Sequence, residues 1–63
     1  MKAMERLKIA IRYMEEHKKA FEVWSDGAIK EVWTDKDGNL CIKYESGNWW
    51  HYKKKDNGEI EWW

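Results

Sequence analysis

Apolar residues in the first third of the chain recur every three or four positions, which predicts an amphipathic helix. The main apolar stripe of this helix consists of Met4, Leu7, Ile11 and Met14, with Phe21 further along and Ala3 and Ala10 beside it. Lys18 occupies the position where the stripe would continue. We therefore predict a helix over about residues 3–20 that ends between His17 and Phe21. We expect His17 to carry a positive charge there, because this suits the negative end of the helix dipole.

A second, smaller apolar line lies on roughly the opposite side of the predicted helix and consists of Ile9, Tyr13 and Ala20. The two lines together present more apolar surface than one sheet can cover. We expect the main stripe to pack on the sheet and the second line to stay exposed, which is a first indication of a protein partner.

After Phe21 the turn-forming residues recur about every 10 positions, a spacing typical of a β-meander. Four segments between the turns are rich in β-branched and aromatic residues, and we predict strands at about residues 28–34, 40–45, 49–55 and 59–63. The segment from Phe21 to Trp24 forms either a short fifth strand or the connection. The predicted fold is one small α+β domain over residues 1–63, with the N-terminal helix packed on one face of a four-stranded antiparallel β-meander.

The turns also predict which strand residues lie opposite each other, because a slip of one residue would turn every side chain to the other face. In the middle hairpin, a three-residue loop that ends at a left-handed Asn48 places Tyr44 opposite Trp50. The same register sets Ile42 opposite Tyr52.

The last hairpin follows the same logic. A three-residue loop that ends at a left-handed Gly58 places Tyr52 opposite Trp62. On the other face Lys53 then meets Glu61, so that apolar side chains collect on one side and opposite charges pair on the other.

The register of the first hairpin stays open between two alternatives. An odd offset buries Ile29 and Trp33, whereas an even offset buries Val32, and we favour the odd one. In the remaining strands the helix is expected to cover Leu40, Ile42, Tyr44, Trp50, Tyr52, Ile60 and Trp62.

The opposite face of the predicted sheet holds the candidate binding residues. They are Trp49, His51, Lys43 and Lys53, with Trp63 near the edge, and Cys41 lies among them. Exposed tryptophans flanked by lysine and histidine are common binding anchors, because such rings concentrate binding energy at interfaces.

Composition narrows the classes of function. Twelve basic and twelve acidic side chains leave the 63-residue chain without net charge, which counts against a general nucleic-acid binder. Aromatic residues make up 16% of the chain and supply the large rings that so short a chain needs for a core. No uncharged segment approaches the about 20 residues of a membrane-spanning helix. Charges also run through the first helix, where a signal peptide would be apolar, so we expect a cytoplasmic location and no membrane.

The chain carries no motif for catalysis, a metal or a cofactor. Its only residues for nucleophilic or metal chemistry are Cys41, His17 and His51, and no motif places Cys41 beside a base. A single cysteine excludes an internal disulfide, and four Cys or His ligands for a structural zinc are lacking. We therefore predict that the protein is not an enzyme and needs no cofactor, with Cys41 as a small filler or a partly exposed thiol.

In its short length, its many Lys, Glu and Trp residues and its lack of proline, the chain resembles small uncharacterised proteins of Gram-positive bacterial mobile elements. These proteins are carried by conjugative transposons and prophages. The resemblance implies a bacterial origin and no assigned function.

Two functional hypotheses follow, and a small-molecule site is less expected than either. The first is association with a protein partner or into a homo-oligomer, because apolar surface is in surplus and the terminal strand EIEWW has no proline to protect its edge. The alternative is nucleic-acid binding, with bases stacked on Trp49 and His51 and phosphates touched by Lys43 and Lys53. The sequence identifies neither a ligand nor a partner and leaves the oligomeric state open.

Overall fold

A computed structural model describes residues 3–63 as one helix followed by one antiparallel sheet. The elements are α1 (Ala3–Lys18), β1 (Ile29–Thr34), β2 (Leu40–Tyr44), β3 (Trp49–Lys54) and β4 (Ile60–Trp62), and the strands lie in the order β1-β2-β3-β4. The predicted α+β meander is confirmed. The segment from Phe21 to Trp24 contains no strand and forms the connection. Within the described residues, no helix combines the length and the apolar character needed to cross a membrane.

All three hairpins use the same loop. Each loop has three residues and ends at a glycine with a positive φ angle: 85° at Gly38, 95° at Gly47 and 90° at Gly58. The amide of each glycine donates a hydrogen bond of 2.9–3.0 Å to the carbonyl three residues earlier. This is a type I turn followed by a left-handed residue, a geometry that glycine adopts without steric cost.

The predicted register of the last hairpin is confirmed, and that of the middle hairpin is wrong by two residues. Tyr52 lies opposite Trp62 as expected. In the middle hairpin, Gly47 takes the left-handed position instead of Asn48, so the loop begins one residue earlier and Ile42 lies opposite Trp50. Glycine has no Cβ to clash in this conformation, whereas asparagine does. Because the shift is even, every side chain of β2 and β3 keeps its predicted face.

The first hairpin combines the two registers that the sequence left open. Val32 lies opposite Ile42 and Trp33 opposite Cys41, which is the even offset. A β-bulge between Ile29 and Glu31 then changes the offset, so that Ile29 and Val32 both pack against the core. The favoured odd offset is therefore wrong for Trp33, which lies on the face away from the core.

The helix packs on the sheet with a different side from the one predicted. Ala10 and His17 are fully buried, and the residues beside them are half-buried: Ile9, Tyr13 and Met14. The other three residues of the main stripe are exposed and are called the α1 stripe below: Met4 at 75%, Leu7 at 47% and Ile11 at 44%. Ala10 has no side chain beyond Cβ, which lets the helix approach the sheet closely, and the flat rings of Tyr13 and His17 pack on the aromatic sheet face.

His17 lies at the centre of the aromatic core, so its expected role as an exposed terminal charge is wrong. Its ring is within 4.3–5.5 Å, centroid to centroid, of five others: Phe21, Trp24, Trp50, Tyr52 and Trp62. Burial lowers the pKa of His17 below its ordinary value of 6.5, and the negative charge of Asp26 opposes this only in part. Burial among rings therefore favours the neutral imidazole.

A short chain of hydrogen bonds ties the helix to the sheet through His17. Its Nδ1 lies 2.6 Å from the Tyr52 hydroxyl, which lies 2.7 Å from the Tyr44 hydroxyl. Burial raises the pKa of Tyr44 to about 12, so this hydroxyl stays protonated. In the chain, the Tyr52 hydroxyl donates its single proton to His17, and the Tyr44 hydroxyl donates its own proton to the Tyr52 oxygen. Among the described residues, His17 Nε2 has no hydrogen-bond partner and faces aromatic rings.

Replacing Tyr52 with phenylalanine tests this chain. We expect Tyr52→Phe to lower the free energy of unfolding by about 1–3 kcal/mol, because His17 and Tyr44 would lose their partner in a buried site. Urea denaturation measures the change. Tyr13→Phe is the matched control, since the Tyr13 ring stacks on Tyr52 at 5.9 Å while its hydroxyl has no hydrogen bond within residues 3–63. Equal effects of the two substitutions would contradict a role for the chain.

The lowered pKa of His17 also predicts a pH dependence of stability. The unfolded state binds a proton near pH 6.5, whereas the folded state resists protonation until a lower pH. Stability should therefore fall as the pH drops below about 6.5, by at most about 1.4 kcal/mol per pH unit, and level off below the folded pKa. Urea denaturation at several pH values measures this fall. An NMR titration in which the His17 ring of the folded protein titrates at or above pH 6.5 would contradict it.

Candidate functional site

The candidate site lies on the sheet face turned away from α1, called the outer face below. Alternation along the paired strands places the following side chains there: Glu31, Trp33, Asp35, Cys41, Lys43, Trp49, His51, Lys53, Glu61 and Trp63. The helix leaves this face uncovered, so what these side chains do must be explained by their own contacts.

A row of aromatic rings crosses the outer face from β1 to the end of the chain. Between ring centroids, Trp33 lies 5.4 Å from Trp49, and Trp49 lies 5.0 Å from His51. His51 stacks on Trp63 at 5.0 Å with an angle of 4° between the rings. The outer tryptophans stay accessible, with Trp49 49% and Trp63 50% exposed. This row brings together three of the predicted binding residues, and it adds Trp33.

The two predicted lysines occupy different parts of the outer face. Lys43 of β2 lies directly opposite Trp49 of β3. Lys53 lies opposite Glu61 of β4, two residues beyond His51 along β3. Lys43 has Glu31 as its other cross-strand neighbour. The carboxylates of Glu31, Asp35 and Glu61 thus share this face with the two lysines. The aromatic row therefore has charges of both signs around it rather than a positive field.

Two chemically active side chains, Asp35 and Cys41, lie next to His51 of the aromatic row and form a group of three with it. One ligand atom from each lies within 4.8 Å of the others. The His51 Nε2 is 3.8 Å from Asp35 Oδ2, and its Nδ1 is 3.4 Å from the Trp63 carbonyl oxygen. Sequence reasoning considered Cys41 and His51 separately and missed Asp35, which the first turn brings beside them.

The turn that follows β1 holds Asp35 in place. Its Oδ1 accepts hydrogen bonds of 2.9 Å from the backbone amides of Asp37 and Asn39. Burial by itself would raise the pKa of Asp35, but the hydrogen bonds from Asn39 and Asp37 lower it overall. The carboxylate is therefore ionised at neutral pH, with Oδ2 directed toward His51.

Cys41 is fully buried although no helix covers its side of the sheet. Its cross-strand neighbours Trp33 and His51 flank it, so side chains of the outer face provide the burial. Burial raises the pKa of the Cys41 thiol, and the negative charge of Asp35 adds to the rise. A protonated thiol without exposure does not suit nucleophilic attack on a substrate.

A second candidate surface lies on the other side of the molecule, where the α1 stripe meets β1. Leu7 lines a groove with Ile29 and Val32 of the edge strand. The Asp35 amide bonds to the Asn39 carbonyl, so by alternation the amide and carbonyl of Val32 and of Thr34 point away from the sheet. Exposed apolar side chains thus lie beside unpaired backbone groups.

No family model matches this chain, and neither curated proteins nor solved structures gave a match. The two surfaces are therefore interpreted from their own residues.

Proposed function

We propose that this protein is a non-enzymatic self-association module in which two copies join through β1 and the α1 stripe. The observation that carries the proposal is the exposure of Met4, Leu7 and Ile11 along one side of α1, with Leu7 lining a groove against the open edge of β1. Single exposed apolar residues are common, but three in line along one helix form a continuous apolar strip.

Pairing of β1 with β1 of a second copy fits the backbone groups at this edge. An antiparallel pair centred on Val32 joins the outward amides and carbonyls of the two strands. It places Glu31 opposite Trp33 of the second copy, so that no like charges face each other. The two sheets then form one continuous sheet, and the α1 stripes come together above the seam. A single occupant, the same chain, therefore satisfies both features.

The expected affinity is moderate. Burying the remaining exposed parts of Leu7 and Ile11 contributes about 1 kcal/mol each, and Met4 somewhat more. Over two copies this amounts to several kcal/mol, which is close to the cost of bringing two molecules together. Backbone hydrogen bonds between the two β1 strands add the free energy by which binding exceeds this cost. We therefore expect a dissociation constant in the micromolar range.

Two further sequence predictions accompany this proposal. A cytoplasmic location stays a prediction from the sequence. The resemblance to mobile-element proteins of Gram-positive bacteria stays a prediction about the origin of the chain.

Sedimentation equilibrium over a range of protein concentrations tests self-association. We expect Ile11→Lys to weaken the dimer more than tenfold, because it places a charge in the apolar seam. Thr34→Pro should weaken it about tenfold, since it removes an outward amide while leaving the bonds of β1 to β2 intact. Glu5→Lys, which adds a lysine to an exposed position outside the stripe, is the matched control.

Two results would contradict the proposal. The first is a monomer at every concentration of the unmodified chain. The second is a dimer that survives both Ile11→Lys and Thr34→Pro, because the contact would then lie elsewhere. Both variants should keep the amide NMR spectrum of a folded chain.

A second candidate function is the binding of single-stranded nucleic acid by the outer face. The aromatic row favours it, because the half-exposed Trp49 lies beside both His51 and Lys43. Bases would stack on Trp49, and Lys43 would contact a phosphate. Glu31 and Glu61 on the same face oppose it, which is why it ranks second.

A fluorescence titration with a short mixed-sequence oligonucleotide tests this second candidate. We expect binding that weakens with salt, is lost in Trp49→Ala and is reduced in Lys43→Ala. Lys8→Ala on the opposite side of the molecule is the control and should bind normally. An affinity that does not change with salt concentration would exclude the outer face as a nucleic-acid surface. The same conclusion would follow if Trp49→Ala bound the oligonucleotide as tightly as the unmodified chain.

A further inference from the structure

We propose that Asp35, Cys41 and His51 form a binding site for one Zn²⁺ ion on the outer face. The proposal is independent of self-association, which uses the α1 stripe and the open backbone edge of β1, because none of the three side chains takes part in that contact. It starts from the position of one oxygen, one sulfur and one nitrogen atom, all within 4.8 Å of one another.

The separations between these atoms are close to those that a tetrahedral ion requires. Zinc binds sulfur at about 2.3 Å and nitrogen or oxygen at about 2.0–2.2 Å, so neighbouring ligand atoms lie roughly 3.3–3.7 Å apart. The Asp35 Oδ2 and His51 Nε2 are 3.8 Å apart, only slightly more than this range. Closing the remaining distances to Cys41 requires movements of about 1 Å or less, within the range of small side-chain rotations.

The atoms that face the site are free of competing strong hydrogen bonds. The Cys41 sulfur has a long contact of 3.9 Å with the Asn39 carbonyl, and it also interacts with the Asp35 backbone amide, whose main hydrogen bond goes to the same carbonyl. The 3.8 Å between His51 and Asp35 is too long for a hydrogen bond. Asp35 Oδ2 has one contact, at 3.3 Å, with the Asn39 side-chain amide.

Atoms outside the site hold two of the proposed ligands in orientation. The His51 Nδ1 lies 3.4 Å from the Trp63 carbonyl, which favours the tautomer that leaves Nε2 unprotonated. Asp35 is anchored through Oδ1 by two backbone amides, which leaves Oδ2 for the ion. Such outer contacts commonly orient metal ligands, and a histidine whose second nitrogen faces a carbonyl is the usual arrangement.

The donor set selects zinc over the hard cations. Thiolate and imidazole are poor ligands for Mg²⁺ and Ca²⁺, whereas sulfur, nitrogen and a carboxylate oxygen together suit Zn²⁺. On binding, the sulfur–proton bond of Cys41 is replaced by a sulfur–zinc bond, and the proton leaves to solvent. Three protein ligands leave the fourth position to a water molecule.

The same three groups do not form a nucleophile and base. In a cysteine–histidine–aspartate triad, the carboxylate and the sulfur face different nitrogens of the imidazole. Here the Trp63 carbonyl occupies the Nδ1 side, so Asp35 approaches Nε2, the nitrogen that a triad reserves for the nucleophile. Three donor atoms within 4.8 Å of one another therefore suit an ion site better than a triad.

Titration of the purified chain with Zn²⁺ and with Co²⁺ tests the site. Calorimetry should give one Zn²⁺ per chain. Co²⁺ should produce the near-ultraviolet absorption of a thiolate–cobalt bond and the visible bands of a tetrahedral ion. The cobalt spectrum is recorded on the unmodified chain and does not depend on any variant folding.

Three substitutions then assign the ligands. Cys41→Ala should abolish the thiolate–cobalt absorption. Asp35→Asn retains the oxygen that caps the turn and replaces only the ligand oxygen, and His51→Gln removes the imidazole. We expect each variant to bind Zn²⁺ more than tenfold more weakly, since changes to the outer contacts alone commonly cost that much. The matched control is Asp37→Asn in the same turn, which should bind within twofold of the unmodified chain.

Four outcomes would overturn the proposal. They are the absence of zinc binding at micromolar concentrations, a stoichiometry of one ion per two chains, a cobalt complex without thiolate absorption, and unchanged zinc affinity in any of the three ligand variants. Amide NMR spectra of the variants without metal confirm that weaker binding does not come from unfolding.

Discussion

The orientation of the helix depends on one constraint, the burial of His17 as a neutral imidazole among aromatic rings. Its hydrogen bond to Tyr52 fixes which side of α1 faces the sheet. A polar group without that bond would be costly to bury, so rotation of the helix to bury Leu7 and Ile11 would break the bond and expose the ring. The α1 stripe therefore stays outside as a result of how the core is built.

The same constraint explains why the sheet was easier to predict than the helix. Glycines at the loop ends and the alternation of apolar residues predict the hairpins locally, and the last register is correct. The helix was oriented by hydrophobicity alone, a scale that places Met4 inside and His17 outside. Their positions are reversed because Tyr52, 35 residues away in sequence, provides the partner for His17. No short-range pattern in the sequence contains this information.

The candidate site shows the same division. Trp49 and His51 were assigned correctly to the uncovered face although the predicted register was wrong. A register shift of two residues leaves the alternation of side chains along β3 unchanged. Trp33 was placed on the wrong face because the β-bulge at the start of β1 reconciles two offsets that appear exclusive in the sequence. Asp35 resembles any turn-capping aspartate until the pairing of β1 with β2, and of β2 with β3, brings it to within 3.8 Å of His51.

The meander order has a consequence for how the chain folds. Each strand pairs only with its neighbour in sequence, through loops of three residues, so each hairpin can close with little loss of chain entropy. Low contact order of this kind is associated with fast folding. Docking of α1 is different, because it joins positions far apart in the chain and needs β3 already in place to present Tyr52. We therefore expect the sheet to assemble first, and the arrival of His17 to be the step that limits the rate.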